Sequence, residues 1–245
     1  MNDILKRFDN LFSILEKHDM YRFWTVKVIR LIPIFFICGV IIAMYFYPGG
    51  NIHHPEQIGY SFTDNFLSDL GGVNARSGQA NTISFIFFNL SMLTFALGGI
   101  GFLFVPRLFK EDSTSYFLAL IGSVFFFFGS LFFAGVGLTP HDLYLEEHIF
   151  FALNGFRLLV PAAICYFFVL LRSPIKNSYS LLTFFFLVST FAYVIFQIIG
   201  ESPLLNPEAM STQATMQKLI TLIHLISIYS LSFAFSSQLK NLDIS

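Results

Sequence analysis

The chain has 245 residues, of which 55% are apolar, 18% aromatic and only 12% charged. A soluble domain carries roughly twice that charge. With a mean hydropathy of +0.69, the composition excludes a disordered chain and argues against a soluble enzyme. Fourteen Lys and Arg against 15 Asp and Glu leave no basic field to hold nucleic acid. Cys38 and Cys165 lie inside apolar runs, so neither a zinc knuckle nor a secreted disulfide framework is expected, and no cofactor motif stands out.

At the N-terminus, Ile4, Leu5, Phe8, Leu11, Phe12 and Leu15 recur at helical spacing opposite Lys6, Arg7, Asp9 and Glu16. This pattern predicts an amphipathic helix within residues 1–24, lying on the cytoplasmic leaflet or binding a protein. The apolar run that follows begins too late and runs too long for a signal peptide. Six such runs occupy about 25–47, 81–105, 115–138, 147–171, 179–200 and 213–236. Each matches the roughly 20 helical residues that cross a hydrocarbon core about 30 Å thick. None alternates with period two, so helices are expected rather than a barrel. Pro48-Gly49-Gly50, Pro106, Pro140, Pro174, Pro203 and Pro207 mark the turns, and Pro33 and Pro161 fall inside spans. The expected fold is all-α: a polytopic six-transmembrane-helix bundle over 25–240 behind an interfacial helix.

Charge placement sets the expected topology. If the N-terminus is cytoplasmic, the inner segments hold Lys6, Arg7, Lys17, Arg22, Lys27, Arg30, Arg107, Lys110, Arg172, Lys176 and Lys240. That is eleven of the fourteen cations, with Arg76, Arg157 and Lys218 left over. Both termini are therefore expected in the cytoplasm of a cell whose inner membrane the chain spans. All the histidines except His18 then lie toward the outer side.

Arg157 falls about ten residues into the fourth span. An unpaired Arg near mid-bilayer costs about 2.5–3.5 kcal/mol on the lenient insertion scale, so it is expected to face the bundle interior. Glu147, Asn154, Arg157 and Pro161 share one helical arc, and in the sixth span Gln213, Gln217, Thr221 and His224 share another. Asn89 and Gln197 are candidates for the same layer. Interhelical packing by polar pairs is the alternative reading.

No span carries an acid at the depth of Arg157. Its counter-charge must come from Glu147, a bound anion, or the first outer loop, about 48–80, folding back to deliver Asp64 or Asp69. In the plainer reading that loop holds a short interfacial helix ended by Gly71-Gly72, with Asp69 satisfying a local turn. The two readings are compatible. His53, His54, His141, Asp142, Glu146, Glu147 and His148 lack a metal-site spacing and read as solvated loop residues. Ser68 with Asp69 and a distant His is a formal triad whose geometry the sequence does not fix.

The core Leu67-Ser68-Asp69-Leu70-Gly71 within 60–72, and the turn Gly135-Val136-Gly137-Leu138-Thr139-Pro140 followed by His148, resemble the bacterial and archaeal membrane family called domain of unknown function 998. The resemblance implies a six-span inner-membrane protein and brings no established activity. It leaves out the N-terminal amphipathic segment.

Three functions fit this pattern of residues. The first is an outward-facing polar pocket that binds or transports an anionic small molecule or lipid headgroup, built from Arg157, Asn154, His224, Gln217, Asn89, Asp69, Ser68 and His148. The second is an intramembrane lipid hydrolase or transferase using His148 or His224 with Asp69. The third is a structural or regulatory membrane partner. The lipid bilayer is the expected surrounding in all three.

Overall fold

The computed structural model describes residues 19–244; the expected amphipathic helix lies outside the described residues. Six long helices follow: α1 (Asp19–Phe46), α2 (Thr82–Phe104, continued by a 3-10 turn Val105–Phe109), α3 (Ser113–Leu138), α4 (Leu145–Arg172), α5 (Asn177–Ile199) and α6 (Pro207–Ile244). All six are long and apolar enough to cross a membrane, which makes the chain a multi-pass membrane protein. Among the described residues there is no strand, only isolated bridges between Gly49 and Ile58 and between Asn74 and Ala80.

Local chemistry sets the helix starts. The Asp112 carboxylate caps α3 by accepting from the Thr114 and Ser115 amides, satisfying donors with no intrahelical partner. Asn206 does the same for α6 through the Ala209 amide at 2.8 Å. Pro207 takes the first helical position, where its missing N–H is not needed. Hydrophobic length alone places the start of α6 near residue 213; the cap and proline move it to Pro207.

Each helix packs against its neighbours in the chain, and α6 returns against α1 to close a ring. Small residues permit the close approaches, as membrane bundles require in the absence of an aqueous drive between helices. A Cβ on Gly39 would lie 1.9 Å from Ser91 Oγ, and one on Gly137 would lie 2.9 Å from the Asn89 carbonyl. The half of the ring farther from the first loop is filled by aromatic side chains. Phe102 stacks on Phe126 at 3.6 Å between centroids, with the Tyr166 and Phe235 rings edge-on to Phe102. The Ser123 hydroxyl spends its one proton on the Phe102 carbonyl at 2.6 Å, so the Tyr166 hydroxyl donates to Ser123. The other half ends in a cap: the segment between α1 and α2 folds over the mouth of the ring.

Candidate functional site

The cap owes its shape to one buried carboxylate. Residues Leu67–Gly71 form a 3-10 turn, and Asp69 Oδ2 reaches back to accept from the Phe66 amide at 2.9 Å and from Asn65 Nδ2 at 3.1 Å. Asp69 Oδ1 accepts from Arg76 Nε at 3.0 Å. The Asp69 side chain is fully buried, whereas that of Arg76 is 32% exposed. Asp69 therefore satisfies the local turn, as the plainer reading of the loop expects, and pairs with a cation at the same time. Its partner is Arg76 and not Arg157. Asn65 links the layers by donating to the Gly50 carbonyl at 2.7 Å and accepting from Gln57 Nε2 and the Ser61 amide.

Cap and ring are joined by further polar contacts. Gln217 Oε1 on α6 accepts from the Leu67 amide at 2.8 Å. The buried Lys218 ammonium donates to the Asn65 carbonyl and, at 3.0 Å, to the Ala214 carbonyl. It also lies 5.6 Å from the Tyr60 ring and 5.3 Å from the Phe62 ring, close enough for cation–π attraction. Just before α2, Asn81 donates to the Leu70 and Gly72 carbonyls, and on α2 Ser84 donates to Leu70 and Asn89 to Gly71. The loop after α3 clasps the other edge, where both Asp142 oxygens accept the Val73 and Asn74 amides. Burial opposes ionisation of Asp142, but those amides outweigh it and hold its carboxyl below the ordinary range.

His141 is buried against this cluster, with Nε2 3.9 Å from Asp69 Oδ1 and Nδ1 unpartnered. Burial, and after it the Arg76 charge, pushes its pKa down from 6.5 to about 4. The Tyr47 and Tyr60 hydroxyls are pushed up by burial and then by Asp69. A hydroxyl ladder at Ser61, with Thr63 behind it, holds the Asp64 carboxyl low against a smaller opposing effect of burial.

Beneath Leu67 and Ser68 lies a cavity of about 70 Å³, room for a few waters by this measure. Its wall is aromatic and aliphatic, from Phe36 on α1, Phe88 and Phe95 on α2, Phe126 and Phe133 on α3, and Phe156 on α4. Polar groups also border it: Ser68, Ser130, His148, Gln217, Thr221 and His224. Hydrogen bonding fixes how two of these present themselves. His148 Nδ1 is 2.7 Å from the Thr139 carbonyl, which can only accept, so Nδ1 carries the proton. The Thr190 hydroxyl, on α5 behind the cavity, gives its proton to the Phe186 carbonyl at 2.7 Å and lies 3.0 Å from His224 Nε2. His224 Nε2 must therefore be the donor. In the neutral rings, His148 Nε2 and His224 Nδ1 are left as acceptors, and neither has a hydrogen-bond partner among the described residues.

Four of the expected site residues, Ser68, His148, Gln217 and His224, border this one cavity. Asp69 belongs to the cap above it, and Asn89, on α2, donates to the cap through the Gly71 carbonyl. Arg157 and Asn154 correct the expectation, because they are absent from the cavity lining. The arc of Glu147, Asn154, Arg157 and Pro161 is real, but it forms the outer face of α4. Arg157 and Glu147 are exposed and Asn154 and Pro161 half-buried, while the inward face carries Gly155, Phe156 and Leu159. Helical spacing groups residues on a face without saying which way that face turns. Gln197 also lies away from the lining. The triad of Ser68, Asp69 and a His is not assembled, since Asp69 is engaged by Arg76, Asn65 and Phe66, and the His148 Nδ1 partner is a backbone carbonyl. Among the described residues no three His, Cys, Asp or Glu side chains gather as metal ligands.

The residues missed were Lys218, Arg76, Asn65, His141 and Thr190. A signal existed for two of them, because Arg76 and Lys218 are cations on the side the charge pattern leaves poor in cations. No protein-family model, no curated protein and no solved structure matches this chain.

Proposed function

We propose that the capped cavity binds the polar head and first carbons of a neutral, hydroxyl-bearing lipid-like molecule. The supporting observation is the pairing of an aromatic wall with a polar border whose free groups are two imidazole acceptors, the Ser68 and Ser130 hydroxyls and the Gln217 amide nitrogen. A hydroxyl both donates and accepts, so it complements that set. A carboxylate or phosphate does not, because no Lys or Arg lines the cavity. The anionic occupant expected from Arg157 thus gives way to a neutral one. We further place the cap on the outer side of a bacterial inner membrane with both termini cytoplasmic, on the strength of the eleven inner cations. Kinship with the domain of unknown function 998 family rests on the 60–72 and 135–140 motifs.

The test uses purified protein in nonionic detergent with oleyl alcohol, its methyl ether or oleate. A ligand at 100 times its Kd stabilises by about 2.7 kcal/mol. For a chain of this length that raises Tm by about 5–10 °C. Oleyl alcohol should give such a shift, the ether and oleate much less, and His224→Phe should remove the preference. Equal shifts from all three compounds, or an unchanged preference in His224→Phe, would refute the reading.

A second reading rests on Ser68, whose hydroxyl has no hydrogen-bond partner among the described residues and borders the same cavity as His148. The Thr139 carbonyl holds the His148 tautomer that leaves Nε2 as a base. Ser68 Oγ would attack an ester carbonyl, pass its proton to His148 Nε2 and thence to the departing alcohol; water would release the acid by the same relay. Labelling by an alkyl fluorophosphonate that disappears in Ser68→Ala and in His148→Phe would support hydrolysis. Absence of labelling in the parent protein would exclude it.

A further inference from the structure

Arg157 stands in the middle of the outer face of α4, in line with exposed Phe150, Ile164 and Phe168. The helix has 28 residues, about 42 Å at 1.5 Å per residue, so it overhangs a 30 Å core by roughly 6 Å at each end. Arg157 is twelve residues past Leu145, hence about 18 Å along the axis and roughly 12 Å below the hydrocarbon surface. That is deeper than a three-methylene stem bridges by snorkelling. Its one hydrogen-bond partner among the described residues is Asn154 Oδ1 at 3.4 Å, which leaves most of the five guanidinium N–H donors unused. A second feature coincides with it. Pro161 has no N–H, so the Arg157 carbonyl lacks its i+4 donor at the same level. The face thus offers a buried-depth cation and a freed acceptor to the membrane interior, where neither has water to turn to.

Symmetry narrows what covers it. Two copies side by side in a membrane are related by an axis along the membrane normal, which preserves depth. Arg157 would then meet its own counterpart or other residues at its own level, and none of the spans has an acid there. A second copy repels rather than neutralises. A phospholipid phosphate would have to descend below the headgroup layer. We propose that this face docks a membrane-spanning helix of another protein that carries a carboxylate at the depth of Arg157. The Arg157 guanidinium would pair with the carboxylate in a forked contact, with Asn154 and the Arg157 carbonyl completing the polar patch. The proposal is independent of the cavity, which lies on the opposite face of α4.

The test co-reconstitutes fluorescently labelled protein with acceptor-labelled Leu/Ala-rich peptides of about 23 residues in phosphatidylcholine vesicles. The peptides differ at one position, matched in depth to Arg157, which is Asp, Asn or Leu. Energy transfer should show the Asp peptide binding about tenfold or more tighter than the others. Arg157→Leu should abolish the preference, and Arg157→Lys should retain part of it. Because position 157 faces outward, both variants are expected to keep the parent Tm, which is measured alongside. Equal binding of the three peptides, or a preference that survives Arg157→Leu, would overturn the proposal. So would Arg157-dependent displacement of the Asp peptide by added phosphatidylglycerol, which would assign the face to lipid. Arg157-dependent energy transfer between copies of the protein would assign it to self-association and overturn the proposal as well.

Discussion

Replacing Asp69 with Asn tests whether a single buried carboxylate holds the cap. At 3.0 Å a unit-charge pair is worth about 5 kcal/mol at an effective dielectric near 20. Arg76 is 32% exposed and can turn toward water, which removes roughly half of that loss. An Asn at this position keeps one acceptor oxygen, but its NH₂ must confront either Arg76 or the Phe66 and Asn65 donors, so one charge-assisted bond of about 1.5–3 kcal/mol is also forfeited. The expected cost is about 4–5.5 kcal/mol. It should appear as a lowered Tm in detergent and as faster hydrogen exchange at the Phe66 and Asp69 amides. A double-mutant cycle with Arg76→Gln makes the reasoning refutable. Arg76→Gln should cost about 2 kcal/mol in the parent and little or nothing in the Asp69→Asn background, where no opposite charge remains to be stranded. Equal costs in both backgrounds would show that the pair is not coupled and that the cap is held by its neutral contacts.

Further outcomes follow from the same geometry. His141 folds with a pKa lowered from 6.5 to about 4, so between those values the unfolded chain binds a proton that the folded ring does not. Its contribution is whole above pH 6.5 and is lost as pH falls toward 4, by about 3 kcal/mol; Tm against pH should slope there and flatten in His141→Asn, and an unchanged slope would count against a neutral buried ring. Gly39→Ala should lower stability by about 1–3 kcal/mol through overpacking on Ser91, with much of it recovered in Gly39→Ala/Ser91→Ala; equal Tm values for the two variants would remove Ser91 as the cause. Gln217→Leu strands the Leu67 amide and should cost about 1–3 kcal/mol, read from Tm and from faster exchange at that amide; parent-like exchange would mean that another acceptor takes it. Reporter fusions after Ser77 and after Asp142 should read outside and one after Arg172 inside; the reverse pattern would refute the orientation.

Hydrophobic length was enough to establish six helices and their order, because the bilayer fixes a minimum run and Pro or Gly follows each of the first five. It was also enough to single out Ser68, Asp69, His148, Gln217 and His224, since polar groups within or beside apolar runs must find partners. Local signals further implied that Asp69 closes a turn. Periodicity could not supply orientation: the arc through Asn154 and Arg157 is equally visible whether α4 turns it inward or outward, and the packing of Gly155, Phe156 and Leu159 decided for outward. Nor could it supply partners distant in the chain. Asp69 and Arg76 pair only because the cap folds on itself, and Lys218 reaches Asn65 only because α6 returns beside α1. Charge counting marked Arg76, Arg157 and Lys218 as the cations out of place. The tertiary structure separated them, tying two into the cap and leaving the third on the membrane-facing surface, because a charge in an apolar setting is placed by whichever carboxylate, carbonyl or ring the fold brings within reach.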